Sequence, residues 1–468
     1  MKKFTKILLI GCLLVTVSCN NWLDVEPKSQ VKDKDLFASE MGFKEALSGV
    51  YSLMTKEALY GKELTFGWLG VLGQEWTSVP YNYEDDQKYD FENAASEVRI
   101  DSVWTGLYNA IANANKLLKE LEGKENLFSG DNYFIIKGEV LALRAYLHFD
   151  LLRIFGASCT VGMERIAIPY VTEYAPTIFP QEKVGDFVGK VLNDLQDAAK
   201  CLENDPILTG RTVSEIDDNG YLMNRQVHLN YYAVKGLMAR VYLYKGDYAN
   251  AEVCAKEVIG SGCFEWVKQE NLTNESVADL TFSTEHLFAL NIVTLGNIVD
   301  KYLDGGNNSF ALEESRLSEY YGSSYDYRYL YLFKTGVGMS NTLRYLKKYD
   351  QLESVSWAQS YRNKLPLICL PEMYYILAEC RYHSSGDVLE PLNEVCRHRG
   401  VADLSEADLS AFETLLLAEY RKEVIGGGQL FFQYKRLNRS VVPGTDVDLA
   451  GEGRYAVSYT HLRAHETL

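Results

Sequence analysis

The chain has 468 residues, 47% of them apolar and 24% charged, with a formal net charge of −17. That length and apolar share support one large domain or two ordinary ones with a real core. The acidic balance argues against nucleic acid or an anionic lipid surface as the main partner. Tyrosine is overused, 33 against 19 phenylalanines; a ring with a polar tip suits half-exposed recognition surfaces, although most of these rings are expected to pack between helices.

The chain opens with Lys2, Lys3 and Lys6, an apolar run over 7–17, then Ser18 and Cys19. A basic start, a short apolar core and a small residue describe a cleaved export signal over 1–18. The run is about half of the ~20 residues that a membrane-spanning helix needs. A Cys directly after the small residue is the one that bacterial lipoproteins acylate, so Cys19 is expected to carry lipid and residues 19–35 to form a tether. Several acyl chains anchor stably where one does not. An ordinary secretory signal with an incidental Cys is the plainer alternative. The remaining cysteines are Cys159, Cys201, Cys254, Cys263, Cys369, Cys380 and Cys396, with no CxxC pair. Export permits disulfides; none is assigned, and a Cys254–Cys263 pairing stays open.

Helical spacing of apolar residues predicts helices over 43–54, 103–121, 135–155, 183–202, 371–382 and 411–426. Residues 228–259 read as a helical hairpin broken at Gly246-Asp247. In it Ala239, Tyr242, Gly246, Tyr248, Ala251, Ala255 and Val258 follow the spacing of a tetratricopeptide repeat. A weaker copy runs from Ala378-Glu379 to Gly386-Asp387 and on through Leu392, Val395 and Arg397-His398-Arg399-Gly400. Such hairpins stack as scaffolds.

Two stretches resist a helical reading. Residues 60–91 hold Trp68, Trp76, Pro80, Tyr81, Tyr83 and Tyr89 around Glu84-Asp85-Asp86. Residues 271–350 hold Gly305-Gly306-Asn307-Asn308, read as a turn, and a tyrosine cluster over 320–331. Within that cluster Tyr325, Tyr327, Tyr329 and Tyr331 alternate as on a short strand. Long irregular segments in a compact protein are often functional. Residues 457–468 resemble translated sequencing-adapter read-through and are expected to be a non-native tail on a truncated C-terminus.

In order and spacing, many short motifs resemble one family. They begin with Cys19 and Trp22-Leu23-Asp24…Pro27, then Gly49-Val50-Tyr51 and Trp104…Tyr108…Ile111…Ala114-Asn115. Gly138-Glu139…Leu143-Arg144-Ala145-Tyr146…Phe149-Asp150-Leu151…Phe155-Gly156 follows, with Ala239-Arg240-Val241-Tyr242…Gly246-Asp247-Tyr248 after it. Leu365-Pro366-Leu367-Ile368…Glu372-Met373-Tyr374…Ala378-Glu379, Leu392-Asn393, Arg397…Arg399-Gly400, Glu419…Arg421-Lys422-Glu423 and Tyr434-Lys435-Arg436-Leu437 complete the series. The chain resembles the RagB/SusD-type outer-membrane lipoproteins of Bacteroidota over nearly its whole mature length. It departs from them at Glu423-Val424-Ile425-Gly426-Gly427-Gly428-Gln429, and it lacks their usual closing segment. The resemblance implies a mainly α fold on a tetratricopeptide-like hairpin scaffold, with long irregular aromatic-rich loops and a few short strands. An N-terminal helical region over 36–260 and a C-terminal region over 261–456 would share that scaffold. It further implies a cell-surface lipoprotein lidding a SusC-like TonB-dependent barrel transporter, capture of oligosaccharides or sometimes peptides, and no catalysis or cofactor.

A sugar site needs flat aromatic faces for ring C–H groups and planar amides or carboxylates for hydroxyls. Residues 60–91 supply both: Trp68, Trp76, Tyr81 and Tyr83 beside Gln74, Glu75, Asn82 and Asp85. Phe66, Leu69 and Val71 around Trp68 argue instead that this ring is core. Trp76→Ala is expected to weaken ligand binding without unfolding. Tyr320, Tyr321 and Tyr325 form the second candidate group. Asp326-Tyr327-Arg328 reads as a turn held by an ion pair, and Arg144 as structural. No HExxH, GxSxG or P-loop spacing occurs. Glu75 with Asp85 or Asp86 is the one imaginable glycosidase pair. Glu84, Asp85 and Asp86 lack calcium-ligand spacing and read as a solvated turn, so no metal is assigned. The expected function is non-catalytic capture of oligosaccharides, or of another polymeric nutrient, for delivery to the transporter. A protein-interaction scaffold and a glycoside hydrolase are the rivals.

Overall fold

A computed structural model describes residues 34–209, 220–274, 277–306, 308–336, 342–351, 361–451 and 455. The expected export signal over 1–18, Cys19 with most of the expected tether, and residues 457–468 lie outside them. The principal helices are α1 (Glu40–Met54), α2 (Trp68–Leu72), α3 (Ala94–Leu121), α4 (Asn132–Phe155), α5 (Val184–Cys201), α6 (Tyr231–Lys245), α7 (Tyr248–Ile259), α8 (Glu314–Tyr321), α9 (Leu370–His383), α10 (Leu389–His398), α11 (Phe412–Val424) and α12 (Leu430–Arg436). The strands are β1 (Ile166–Pro169), β2 (Gln181–Lys183), β3 (His286–Asn291), β4 (Leu312–Glu313), β5 (Phe333–Thr335), β6 (Leu343–Leu346) and β7 (Lys364–Cys369). They pair antiparallel as β1–β2, β3–β7 and a three-stranded β4–β6–β5. The molecule is mainly helical, as expected.

Helix starts follow local capping. The Ser39 hydroxyl accepts from the Gly42 amide at 3.3 Å and begins α1; the Asn93 side-chain oxygen accepts from the Ala95 and Ser96 amides at 3.0 Å and begins α3. Such caps satisfy amides that a helix end leaves open. α4 is buried along nearly its whole length, as befits a helix apolar on most sides. Its polar residues are paired inside: Glu139 with Arg225 at 2.6 Å, Arg144 with both oxygens of Asp194 at 2.7 Å, and Asp150 with Arg153 and the Tyr60 hydroxyl. Arg144 is therefore structural.

The α6–α7 hairpin turns where the sequence predicts. Gly246 takes φ +81°, a left-handed position that suits glycine, and the Asp247 carboxylate caps α7 through the Asn250 amide at 3.2 Å. α9 and α10 form the second hairpin. α7 packs on α9, and Arg240 on α6 pairs with Glu372 on α9 at 2.6 Å.

The structure differs from expectation in two respects. Residues 327–331 form a helical turn, not a strand, because the Asp326 carboxylate accepts from the Arg328 amide at 2.9 Å and starts a helix. The same carboxylate takes the Arg328 guanidinium, the ion pair expected there. Residues 60–91 and 271–350 are not simply irregular: they contain α2, α8 and β3–β6. Cys254 is buried and Cys263 exposed, and both are free thiols.

Candidate functional site

Segment 60–91 divides into a buried half and an exposed tip. Trp68 is fully buried, its indole N–H donating to Asp86 at 3.0 Å. Trp76 donates to the Phe66 carbonyl at 2.7 Å and lies against the Phe310 ring. The Tyr83 hydroxyl donates to Glu63 at 2.8 Å beneath the surface. Gln74 sits at φ +52° with its side-chain amide donating to the Gln87 carbonyl at 2.8 Å. Glu75 is buried as well: one oxygen accepts from the Gly426 amide at 2.8 Å, the other has no hydrogen-bond partner, and burial pushes its carboxyl up to about 8.

These placements correct the sequence reading. Trp68, Gln74, Glu75, Trp76 and Tyr83 have no free face for a sugar ring, because later segments of the chain cover them. The imagined glycosidase pair fails on the same ground: Glu75 faces Gly426, and Asp86 is spent on Arg99 and Trp68. Glu84-Asp85-Asp86 is not a solvated turn, since it opens a helical turn whose Asp86 is buried. Among the described residues, no three His, Cys, Asp or Glu side chains are placed to hold a metal ion.

What remains outside is the tip. Tyr81 is 86% exposed, Asn82 is exposed beside it, and Asp85 is half-exposed. The tip is anchored to the second candidate region. Ser78 bridges to Ala311 just before β4, and the Thr77 hydroxyl accepts from the Glu313 amide. α8 then carries Tyr320, half-buried, with the Arg421 guanidinium 4.2 Å from its ring centre. Arg421 also donates to the Gln74 carbonyl at 3.2 Å, so it ties both candidate regions together. Tyr321 points inward, its hydroxyl donating to the Lys422 carbonyl at 3.0 Å. Tyr325 is 76% exposed but sits by the Gly400 turn, where the Tyr327 amide donates to the Arg399 carbonyl. Beneath that turn Arg399 pairs with Glu285 and Glu423, and Arg328 with Asp326, Glu419 and Glu423.

A cavity of about 50 Å³ between β7 and α11, lined by Lys348, Cys369, Glu423 and Gln429, has room for water but not for a sugar ring. No helix of the described residues is long and apolar enough to cross a membrane.

Residues 21–243 match the model of the SusD-like family, described as starch-binding and associating with the outer membrane. The fold of the described residues is that of solved SusD-superfamily proteins. One from Bacteroides thetaiotaomicron superposes with a TM-score of 0.70 at 21% identity, covering 91% of this chain and 95% of that one. The matched stretch over 21–243, just under half of the chain, is similar to the SusD-like family. A SusD-like carbohydrate binding protein from Bacteroides vulgatus superposes at TM-score 0.67 and 16% identity, covering 86% of this chain and 84% of its own. The SusD-like protein P38 of Formosa agariphila is 24% identical over 269 residues, 56% of this chain and 47% of that relative. The chain thus spans about half the length of this curated relative.

Two residues that shape this face carry no sequence signal for it. Arg421 stands in one of the resemblance motifs, and Arg99 in none. Both are buried arginines: Arg421 reaches Gln74, 347 residues away, and Arg99 reaches back 13 residues to Asp86 and 17 to Asn82, outside the three- and four-residue spacing of a helix face, so no helical pattern marks them.

Proposed function

We propose that this chain is a SusD-like, non-catalytic, lipid-anchored protein of the outer-membrane surface that captures oligosaccharides and passes them to a SusC-like TonB-dependent transporter. The observation that carries the reading is the Tyr81–Asn82 tip: an almost fully exposed aromatic ring next to an exposed amide, raised on a fully packed base. The ring offers an apolar face for sugar C–H groups, and the amide offers a donor and an acceptor for hydroxyls. Tyr320, Tyr325 and Asp85 are the further contacts proposed for a glycan longer than one ring. The family description as starch-binding supports glycan over peptide as the ligand.

The test is a glycan array that includes starch-derived oligosaccharides, followed by calorimetry on the best-bound glycan. Tyr81→Ala is expected to weaken binding about tenfold, the effect of losing roughly 1.4 kcal/mol, with an unchanged melting temperature. Sugar release from a polysaccharide panel is expected to be nil. Isolation of the tagged protein from outer membranes is expected to bring down a large barrel transporter. An array without a hit, or undiminished binding by Tyr81→Ala, overturns this site.

A further inference from the structure

The Tyr81–Asn82 tip has little holding it from within. Tyr81–Tyr83 is a single 3-10 turn with no side-chain cap, a geometry that is weak in isolation. Its support comes from α3. Arg99, only 6% exposed, stands on the second turn of that helix. One arm of its guanidinium donates to the Asn82 carbonyl at 2.9 Å. The other arm pairs with Asp86, which the Trp68 indole fixes from the opposite side at 3.0 Å. The flat of the guanidinium lies 3.8 Å from the Tyr83 ring centre. One side chain therefore grips residues 82, 83 and 86 at once from a long, capped helix.

We propose that Arg99 is a positioning residue for the glycan-binding tip: it holds Tyr81 and Asn82 in their binding arrangement before a ligand arrives. The inference rests on the reading of the tip as the glycan site. A ligand that meets an already ordered loop does not bear the cost of ordering it. Arginine is required because its planar fork serves a carboxylate, a carbonyl and a ring together, whereas a lysine ammonium is a single point charge that serves one of them.

The test uses the full chain with Arg99→Lys, Tyr81→Ala and, as a control for disturbing a buried arginine pair, Arg144→Lys. Two readouts are taken under conditions where all variants are folded: affinity for the best-bound glycan of the array, and amide exchange of the segment spanning residues 80–87. In Arg99→Lys the segment is expected to exchange faster while the rest of the chain keeps its protection, and affinity is expected to fall about tenfold, the effect of one or two lost hydrogen bonds. Arg144→Lys is expected to leave both readouts at this segment unchanged. If Tyr81→Ala loses binding but Arg99→Lys retains wild-type affinity and exchange, the positioning role is overturned and the site survives. The role is equally overturned if Arg144→Lys, brought to the same stability, loses as much affinity. If Tyr81→Ala binds as the wild type does, the site reading itself has failed.

Discussion

The indole N–H of Trp76 donates to the backbone carbonyl of Phe66 at 2.7 Å, while the ring lies at 5.9 Å from that of Phe310. This tryptophan ties α2 to the segment that leads into β4, and its role is packing. Trp76→Ala should therefore destabilise the fold by about 3–5 kcal/mol, the usual cost of deleting a buried aromatic ring. Urea unfolding measures this directly. A loss under 1 kcal/mol would mean that Trp76 is not packed as described.

Glu75 gives the chain a pH signature. Burial raises its carboxyl from an ordinary value near 4.5 to about 8, outweighing the Gly426 amide, Arg421 and Lys348, which all lower it. The folded chain thus holds this proton more tightly than the unfolded chain. The resulting stability is fully present below pH 4.5 and is lost as pH rises through 8. Glu75→Gln replaces the group with a neutral isostere. It should melt higher than the wild type at pH 8.5 and about equally at pH 5. Equal melting at both values would refute the assignment.

Arg421 joins Tyr320 on α8 to the Gln74 carbonyl and also donates to the Tyr434 hydroxyl. Removing a buried charged donor leaves its acceptors unpaired, at about 1–3 kcal/mol. Arg421→Ala is expected to lower stability by at least that and to weaken glycan binding beyond what Tyr320→Phe does, since it frees both candidate regions. Calorimetry on the two variants separates these effects.

Gly400 takes φ +70°, and a Cβ there would meet the Tyr325 carbonyl at 2.9 Å and the Tyr327 ring. Gly400→Ala combines backbone strain with a clash and is expected to cost about 1–3 kcal/mol. It should also speed amide exchange around Tyr325, since the Tyr327 amide donates to the neighbouring Arg399 carbonyl. Undisturbed exchange would show that the turn tolerates a side chain.

The helical hairpins were legible from residue spacing because a helix is a local object. The 3.6-residue period along α4, the glycine at 246 and the carboxylate at 247 act on near neighbours, so the chain needs no distant partner to declare them. The tyrosine alternation over 325–331 misled for a related reason. A period-two pattern is weaker than a helix cap, and Asp326 decided the backbone.

By itself, then, the sequence determined the helical scaffold, its two hairpins, the family resemblance and the stretch of chain that carries the candidate face. Only the tertiary structure decided which aromatic faces within that stretch are free. Glu75 is covered by Gly426, 351 residues away, and Tyr320 is reached by an arginine that also grips Gln74, 347 residues from it. Whether a ring is core or platform depends on what the distant chain lays against it, and composition cannot say that. Trp68, Trp76 and Tyr83 share their segment with Tyr81, yet packing leaves only Tyr81 in solvent.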